Sequence, residues 1–355
     1  MGDEKLAAEV RILAERHAVV WKSFSDKDVF LTGATGFIGS FIAHFFSVLA
    51  NEHGIDVRVT MIVRDIESAR QRFGRLFPAR ALTLIEGDVR DIPVELERAD
   101  YVIHAASNAN PIAYMDDPVG TIQTSVAGTA NVLEAAARAG AGRFLYLSTV
   151  EAYGLHGLQG PVDESVVGSI DPTNIRNCYP LGKVCAENLS FAFGEQHGMD
   201  VVVARLAYIY GPGDNILDPK VVTSFLNELM NGRSVRLKSV GSQERSYCYI
   251  RDAACGVLFA LLKGEPGEIY NVASSERGIT IRGIAELATE LFGVRSQKVE
   301  LELPSEADRR RFSLAQNNVL DNRKIKSLGF EDEVDFRSGL IETGRYFGLE
   351  PRLTQ

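Results

Sequence analysis

From Val29 onward, short apolar runs alternate with stretches of helical period, and this alternation organises most of the chain. The runs are VFLTG, VRVTMIV, LTLIEG, YVIHAAS, FLYLST, VVVARLAYIYG and EIYNVAS, apolar along most of their length rather than at every second residue. Strands of that kind are covered on both faces. Helical segments lie between them, including 38–51, 65–74, 119–139 and 180–197. The order predicts an α/β protein built on a doubly wound parallel sheet. Ahead of the first strand, residues 4–24 predict an amphipathic helix with Leu6, Val10, Leu13, Val20 and Trp21 among its apolar positions.

Beyond about residue 212 the regularity weakens. Gly211-Pro212-Gly213-Asp214, a helix near 220–231 and an arginine-rich segment at 305–312 predict a smaller C-terminal α/β lobe drawn from separate stretches. The expected organisation is an N-terminal helical extension over 1–25, then a nucleotide-binding domain over 26–211 with returning segments near 245–275. A substrate-binding lobe over 212–244 and 276–355 completes it.

The first strand runs into Gly33-x-x-Gly36-x-x-Gly39 and then a helix. Glycines there permit a tight turn and close backbone approach, and the helix N-terminus offers free N–H groups to a pyrophosphate. A Rossmann-type dinucleotide site follows, with Gly33, Thr35, Gly36, Phe37, Ile38 and Gly39 around the phosphates. At the end of the second strand stands Val63-Arg64-Asp65. A guanidinium suits a 2′-phosphate, so Arg64 tilts the cofactor from NAD toward NADP. The competing reading leaves Arg64 solvated or on the adenine, with Asp65 reaching the ribose. Asp88 and Val89 follow the third strand, where Asp88 could accept from the adenine amino group. Ala105 and Ala106 end the fourth strand with side chains small enough for a cofactor to approach. His104 before them reads as a packed, hydrogen-bonded histidine rather than a catalyst.

Composition narrows the class. A net charge of −9 argues against a nucleic-acid footprint and for a cytoplasmic enzyme. The longest apolar stretch, Phe41–Ala50, is too short to span a membrane, and no basic-then-apolar leader precedes it. The four cysteines, Cys178, Cys185, Cys248 and Cys255, lack metal-ligand spacing and read as reduced thiols.

Tyr179 and Lys183 lie one helical turn apart in CYPLGKVCAEN, downstream of a Ser148-Thr149 pair that closes an apolar run. That spacing puts both side chains on one helix face, where an ammonium would favour the phenolate and make the tyrosine a general base.

With TGATGFIG, GDV, HAAS, STVEAYG, YPLGK, ARLAYIYGPGD and RSYCYIRD in this order, the chain resembles the extended short-chain dehydrogenase/reductase family, in its nucleotide-sugar epimerase, dehydratase and decarboxylase branch. The resemblance runs from about residue 28 to 345, and RNCYPLGKVCAEN and GSQERSYCYIRD are similar to UDP-glucuronate decarboxylases. It implies that Tyr179 removes the sugar O4 proton and that Lys183 holds the nicotinamide ribose and lowers the tyrosine pKa. Thr149 would bind the same O4, with Ser148 in support. Glu151 would work near C5. Ser107 and Tyr208 would line the sugar site, and Arg233, Arg245 and Arg309 or Arg310 would meet the diphosphate. The implied partners are a nucleotide-diphosphate sugar and a second copy of the chain, through the helices near 119–139 and 180–197. No metal is implied.

Departures from the family pattern shape the expected reaction. Val150 stands where dehydratases place an aspartate and decarboxylases tend to carry serine. Tyr208 replaces an asparagine, Ser125 replaces another, and Leu181 fills a position acidic in decarboxylases. Epimerisation through transient C4 oxidation is the leading expectation. The alternatives are decarboxylation of a uronic sugar, NADPH-dependent reduction of a 4-keto sugar, and dinucleotide binding without catalysis.

Overall fold

The computed structural model describes residues 2–74, 81–93, 96–154, 160–305 and 317–352. Its centre is a seven-stranded sheet: β1 (Lys27–Thr32), β2 (Val57–Val63), β3 (Leu82–Glu86), β4 (Tyr101–His104), β5 (Arg143–Thr149), β6 (Asp200–Leu206) and β11 (Ile269–Val272). They lie in the order β11-β6-β5-β4-β1-β2-β3, every pairing parallel. The chain reverses its direction of travel between β1 and β4, and the crevice at their carboxyl ends is where such a sheet binds ligands. This is the Rossmann-type architecture expected from the alternating pattern.

Both faces are apolar because alternate residues of each strand go to opposite sides. Val29 and Leu31 of β1 join one core with α3 (Phe37–Glu52) and α9 (Ile250–Lys263), while Phe30 joins a second core with α6 (Pro118–Arg138) and α7 (Cys178–His197). On β5, Leu145 and Leu147 follow the first, and Phe144 and Tyr146 the second. Short helices α4 (Ile66–Gly74) and α5 (Pro111–Asp116) complete the crossovers.

Two expectations are corrected. The helix expected over 4–24 is broken: α1 (Gly2–Arg16) ends before His17, and α2 (Ala18–Trp21) leads into a 3₁₀ turn, Lys22–Phe24. The break lets the Trp21 indole N–H donate to the Leu13 carbonyl at 2.9 Å. A continuous helix would hold these residues about 12 Å apart along its axis. The run VVVARLAYIYG is two strands rather than one. After Leu206 the chain leaves the main sheet, and β7 (Tyr208–Tyr210) pairs with β10 (Tyr247–Tyr249).

The remaining strands form small sheets beyond the main one. β8 (Val235–Leu237) pairs with β13 (Val299–Leu301), and β9 (Glu244–Arg245) lies between β12 (Ile279–Thr280) and β14 (Asn317–Asn318). Helices α8 (Val221–Met230) and α10 (Ile281–Phe292) pack beside them. α1 lies across α3, with Glu9 accepting from Arg251 at 2.8 Å and Leu6 beside Gly213. No described helix is long and apolar enough to cross a membrane. All four cysteines are free thiols.

Candidate active site

The nucleotide cradle is built by contacts that exclude a side chain. Gly33 has φ +68°, and a Cβ there would lie 2.5 Å from the Ala105 carbonyl carbon. A Cβ on Gly39 would lie 2.2 Å from the Gly33 oxygen. The strand–turn–helix unit and the end of β4 therefore meet backbone to backbone. Gly36 opens α3 in an extended conformation with no side-chain cap, leaving the amides of Phe37 and Ile38 at the helix N-terminus for an anion. Thr35 is exposed at the turn. The Thr32 hydroxyl joins the two sides, accepting from Ala106 N at 3.2 Å and pairing with His104 Nδ1 at 2.6 Å. His104 Nε2 meets the Thr129 hydroxyl at 3.0 Å, and burial pushes this imidazole down to about 3. It is a buried, neutral, bonded histidine, as its sequence context suggested. A turn that accepts only glycine beside a free helix N-terminus fits a dinucleotide diphosphate.

At the expected adenosine end two carboxylates already have partners. Arg64 is exposed at the end of β2. Asp65 Oδ1 accepts from Ser68 N at 2.9 Å, so this carboxylate caps α4. Both oxygens of Asp88 are engaged by Arg90, at 3.0 and 2.9 Å, which holds the carboxyl below its ordinary range. Val89 is buried, and Asn131 donates to its carbonyl at 3.2 Å.

The reaction end lies at the carboxyl end of β5. Thr149 closes that strand and caps the turn Val150–Tyr153, its hydroxyl accepting from Glu151 N at 3.2 Å. Tyr179, in the first turn of α7, is 8% exposed, and the nearby Thr149 hydroxyl favours its ionised form. Its ring stacks on Tyr114 of α5, centroids 5.4 Å apart and planes 3° from parallel. Burial, and then the charge of Glu151, push the Tyr179 phenol well above its ordinary range.

Here the expected pairing with Lys183 is corrected. Helical spacing puts Tyr179, Lys183 and Glu187 on one stripe of α7, but Lys183 Nζ donates to the Leu147 carbonyl at 2.6 Å and lies 4.7 Å from the Tyr146 ring centroid. Lys183 is not among the groups acting most on Tyr179. Burial pushes its own ammonium down to about 7, with Glu187 opposing. Ser148 is corrected likewise. It lies on the α7 face of β5 and donates to Glu187, whose carboxylate also takes Arg205 Nε at 3.0 Å and Nη2 at 2.6 Å. Ser148 thus belongs to a buried network under the site, while Thr149, the last residue of β5, lies near Tyr179.

The substrate candidates divide. The Ser107 hydroxyl is buried without a partner among the described residues. Tyr208 receives a hydrogen bond from Asn318 at 2.7 Å, and the Arg245 guanidinium lies 4.7 Å from its ring centroid. Arg233 pairs with Glu228 at 2.6 Å on the half-exposed end of α8, with no contact to the Thr149–Tyr179 cluster among the described residues. Arg309 and Arg310 lie outside the described residues.

Arg176 was missed. It forks onto Glu151 at 3.0 and 3.1 Å, beneath the site, with side-chain exposures of 8% and 15%. The clue was its place three residues before Tyr179, in a run otherwise read only for the tyrosine and lysine. Tyr114 was missed because a lone tyrosine after HAAS carries no spacing signal.

This geometry can be set beside known proteins. The sequence profile of the NAD dependent epimerase/dehydratase family matches residues 29–273. UDP-glucuronic acid decarboxylase 6 of Arabidopsis thaliana is 33% identical over 326 residues, spanning 89% of this chain and 87% of that protein. dTDP-glucose 4,6-dehydratase of Streptomyces antibioticus is 28% identical over 319 residues, spanning 89% of this chain and 91% of its own length. UDP-glucose 4-epimerase of Thermotoga maritima, solved with UDP-glucose, superposes with a TM-score of 0.75 at 25% identity, covering 90% of this chain and 98% of its own. The matched stretch takes in the glycine cradle, Thr149, Tyr179 and Lys183 together, and the chain belongs to the NAD dependent epimerase/dehydratase family.

Proposed function

We propose that the protein decarboxylates a nucleotide-diphosphate uronic sugar of the UDP-glucuronate type after transient oxidation at C4. The observation that carries this reading is a carboxylate, Glu151, fixed by Arg176 beside the Thr149–Tyr179 pair. The similarity to UDP-glucuronic acid decarboxylases supports it. Bound NAD would supply reversible two-electron oxidation of the sugar carbon.

The chain's residues handle protons and orientation. Tyr179 takes the proton of the C4 hydroxyl, with Thr149 bridging phenol and sugar oxygen. Lys183, with its ammonium near neutrality, orients the cofactor ribose beside them. A C4 ketone lies β to the C6 carboxylate, so the C5–C6 bond breaks with its electron pair delocalised onto the C4 oxygen, and carbon dioxide leaves. Glu151 handles the proton at C5. Val150 is buried in an apolar cluster with Tyr153 and Ala207 and offers no acid to expel a C6 hydroxyl, which disfavours 4,6-dehydration.

C4 epimerisation, the leading expectation from the sequence, is the second reading. It needs only Thr149, Tyr179 and Lys183, and the likeness to a UDP-glucose 4-epimerase supports it. Incubating the protein with UDP-glucuronate and, separately, UDP-glucose, with products followed by NMR, separates the readings. Loss of C6 from the uronate supports decarboxylation. An untouched uronate with conversion of UDP-glucose to its C4 epimer supports the second. Stoichiometric NADPH consumption on a 4-keto sugar would replace both with the reductase reading.

NADP preference rests on Arg64. Its exposure and the engagement of Asp65 in the α4 cap leave the guanidinium open to a 2′-phosphate. Arg64→Ala should weaken NADP binding and spare NAD. A homodimer through α6 and α7 is also proposed, with exposed Val119 and Ile122 on α6 as interface candidates. A monomeric mass by light scattering would reject it.

A further inference from the structure

Glu151 stands where its charge works against the phenol it accompanies. The groups facing Tyr179 from the surrounding elements are Thr149 and Tyr146 on β5, Glu151 in the turn after it, Arg176 before α7, Tyr208 on β7 and Tyr114 on α5. Lys183, one turn along α7, directs its ammonium to Leu147. Glu151 is the acid in this set and disfavours a phenolate, whereas Arg176 favours one.

These two charges are locked together. Arg176 Nη1 and Nη2 donate to Oε2 and Oε1 of Glu151 at 3.0 and 3.1 Å. The turn carrying Arg176 is itself pinned: Asn174 Oδ1 accepts from Arg176 N at 3.1 Å, and Asn177 Nδ2 donates to the Asp171 carbonyl at 2.8 Å. The guanidinium also lies 5.9 Å from the centroid of Tyr114, the ring stacked on Tyr179. A two-point fork on a buried carboxylate fixes direction as well as charge.

We propose that Arg176 is a positioning residue that offsets part of the Glu151 charge at the Tyr179 hydroxyl and fixes the carboxylate's direction. A second acid–base group can then sit beside the phenol and suppress it less than a bare carboxylate would. The inference rests on the reading that Tyr179 is the proton acceptor at C4. It predicts a sign pattern that a scaffolding role would not produce. Loss of Arg176 makes Tyr179 harder to ionise, loss of Glu151 makes it easier, and loss of both eases it less than loss of Glu151 alone.

The test uses the full chain with fluorinated tyrosine incorporated throughout, which brings phenol ionisation into an accessible pH range. The Tyr179 resonance is identified by its loss in Tyr179→Phe and titrated by ¹⁹F NMR. Arg176→Met should lower the ionisation constant, and Glu151→Gln should raise it by the larger factor, about tenfold or more. The double variant should fall between the parent and Glu151→Gln, and Arg176→Lys between the parent and Arg176→Met. If Arg176→Met does not fold, Glu151→Gln, the double variant and Arg176→Lys still carry the comparison. Equal midpoints across the folded variants overturn the proposal.

A single-turnover measurement with NAD and the nucleotide sugar reads C4 oxidation alone, through the absorbance of reduced nicotinamide. At fixed pH, Glu151→Gln should accelerate this phase and Arg176→Met should slow it. A parent protein that develops no such absorbance refutes the functional reading and leaves the titration to decide the charge balance. An active parent with unmoved titrations overturns the positioning role alone.

Discussion

Gly33→Ala, compared with Gly54→Ala, tests the backbone-to-backbone cradle. Both glycines have positive φ, +68° and +65°, but a Cβ at Gly54 meets nothing within 4 Å, whereas one at Gly33 would lie 2.5 Å from the Ala105 carbonyl carbon. Both variants carry the left-handed cost of about 1–2 kcal/mol. Ordinary contact begins near 3.4 Å, so at Gly33 the turn and the end of β4 must also part by about 0.9 Å. That movement strains the bonds from Ala105 N to the Thr32 carbonyl at 3.3 Å and from Ala106 N to the Thr32 hydroxyl at 3.2 Å. Each is worth about 1 kcal/mol. Gly33→Ala should therefore destabilise by about 2 kcal/mol more than Gly54→Ala in urea unfolding. It should also weaken NAD binding at least tenfold by calorimetry, while Gly54→Ala leaves binding intact. Equal unfolding midpoints and equal NAD affinities would refute the close-approach argument.

Further outcomes follow from the reaction end. Tyr179→Phe should reduce turnover by about 10²–10⁴-fold while leaving thermal stability and NAD binding near the parent, since the ring keeps its stack on Tyr114. Glu187→Gln leaves the buried Arg205 guanidinium without its carboxylate and should cost about 3–5 kcal/mol in chemical denaturation. Replacing Glu187 and Arg205 together by apolar residues should cost less than that single change. Lys183 binds its proton less tightly folded, near 7, than unfolded, near 10.5. Between those values the unfolded chain holds more of this proton, so its contribution to stability rises with pH and is lost as pH falls through 7. Lys183→Met should flatten that rise and stabilise the cofactor-free protein at pH 6, measured by denaturation across pH.

The parallel sheet was legible because its strands are apolar on both faces, and the glycine turn because its spacing carries its own geometry. Where the chain departs from those regularities, tertiary partners decide. VVVARLAYIYG looks like one strand, but only the pairing of Tyr208–Tyr210 with Tyr247–Tyr249, nearly forty residues downstream, shows where it leaves the sheet. The break at His17 depends on an indole reaching back to Leu13. At the site, spacing put Tyr179 and Lys183 on one face, and the structure keeps them there. Spacing could not show that burial outweighs charge at the phenol, or that Lys183 turns to a carbonyl. Ser148 and Thr149 are adjacent in sequence but take different partners, the Glu187 carboxylate and the Glu151 amide, which a motif read as a unit conceals. Arg176 was hidden because its partner Glu151 lies 25 residues upstream.

The proposed reaction turns on transient oxidation and reduction at C4 on a retained cofactor during loss of C6. UDP-glucuronate deuterated at C4 tests it most directly, turned over with NAD in catalytic amount and analysed by mass spectrometry and NMR. The expected product is a UDP-pentose that keeps the deuterium at C4, with C6 released as carbon dioxide and no net change in NAD. Recovery of unchanged UDP-glucuronate, loss of the deuterium to solvent, or consumption of reduced cofactor in step with product would contradict it.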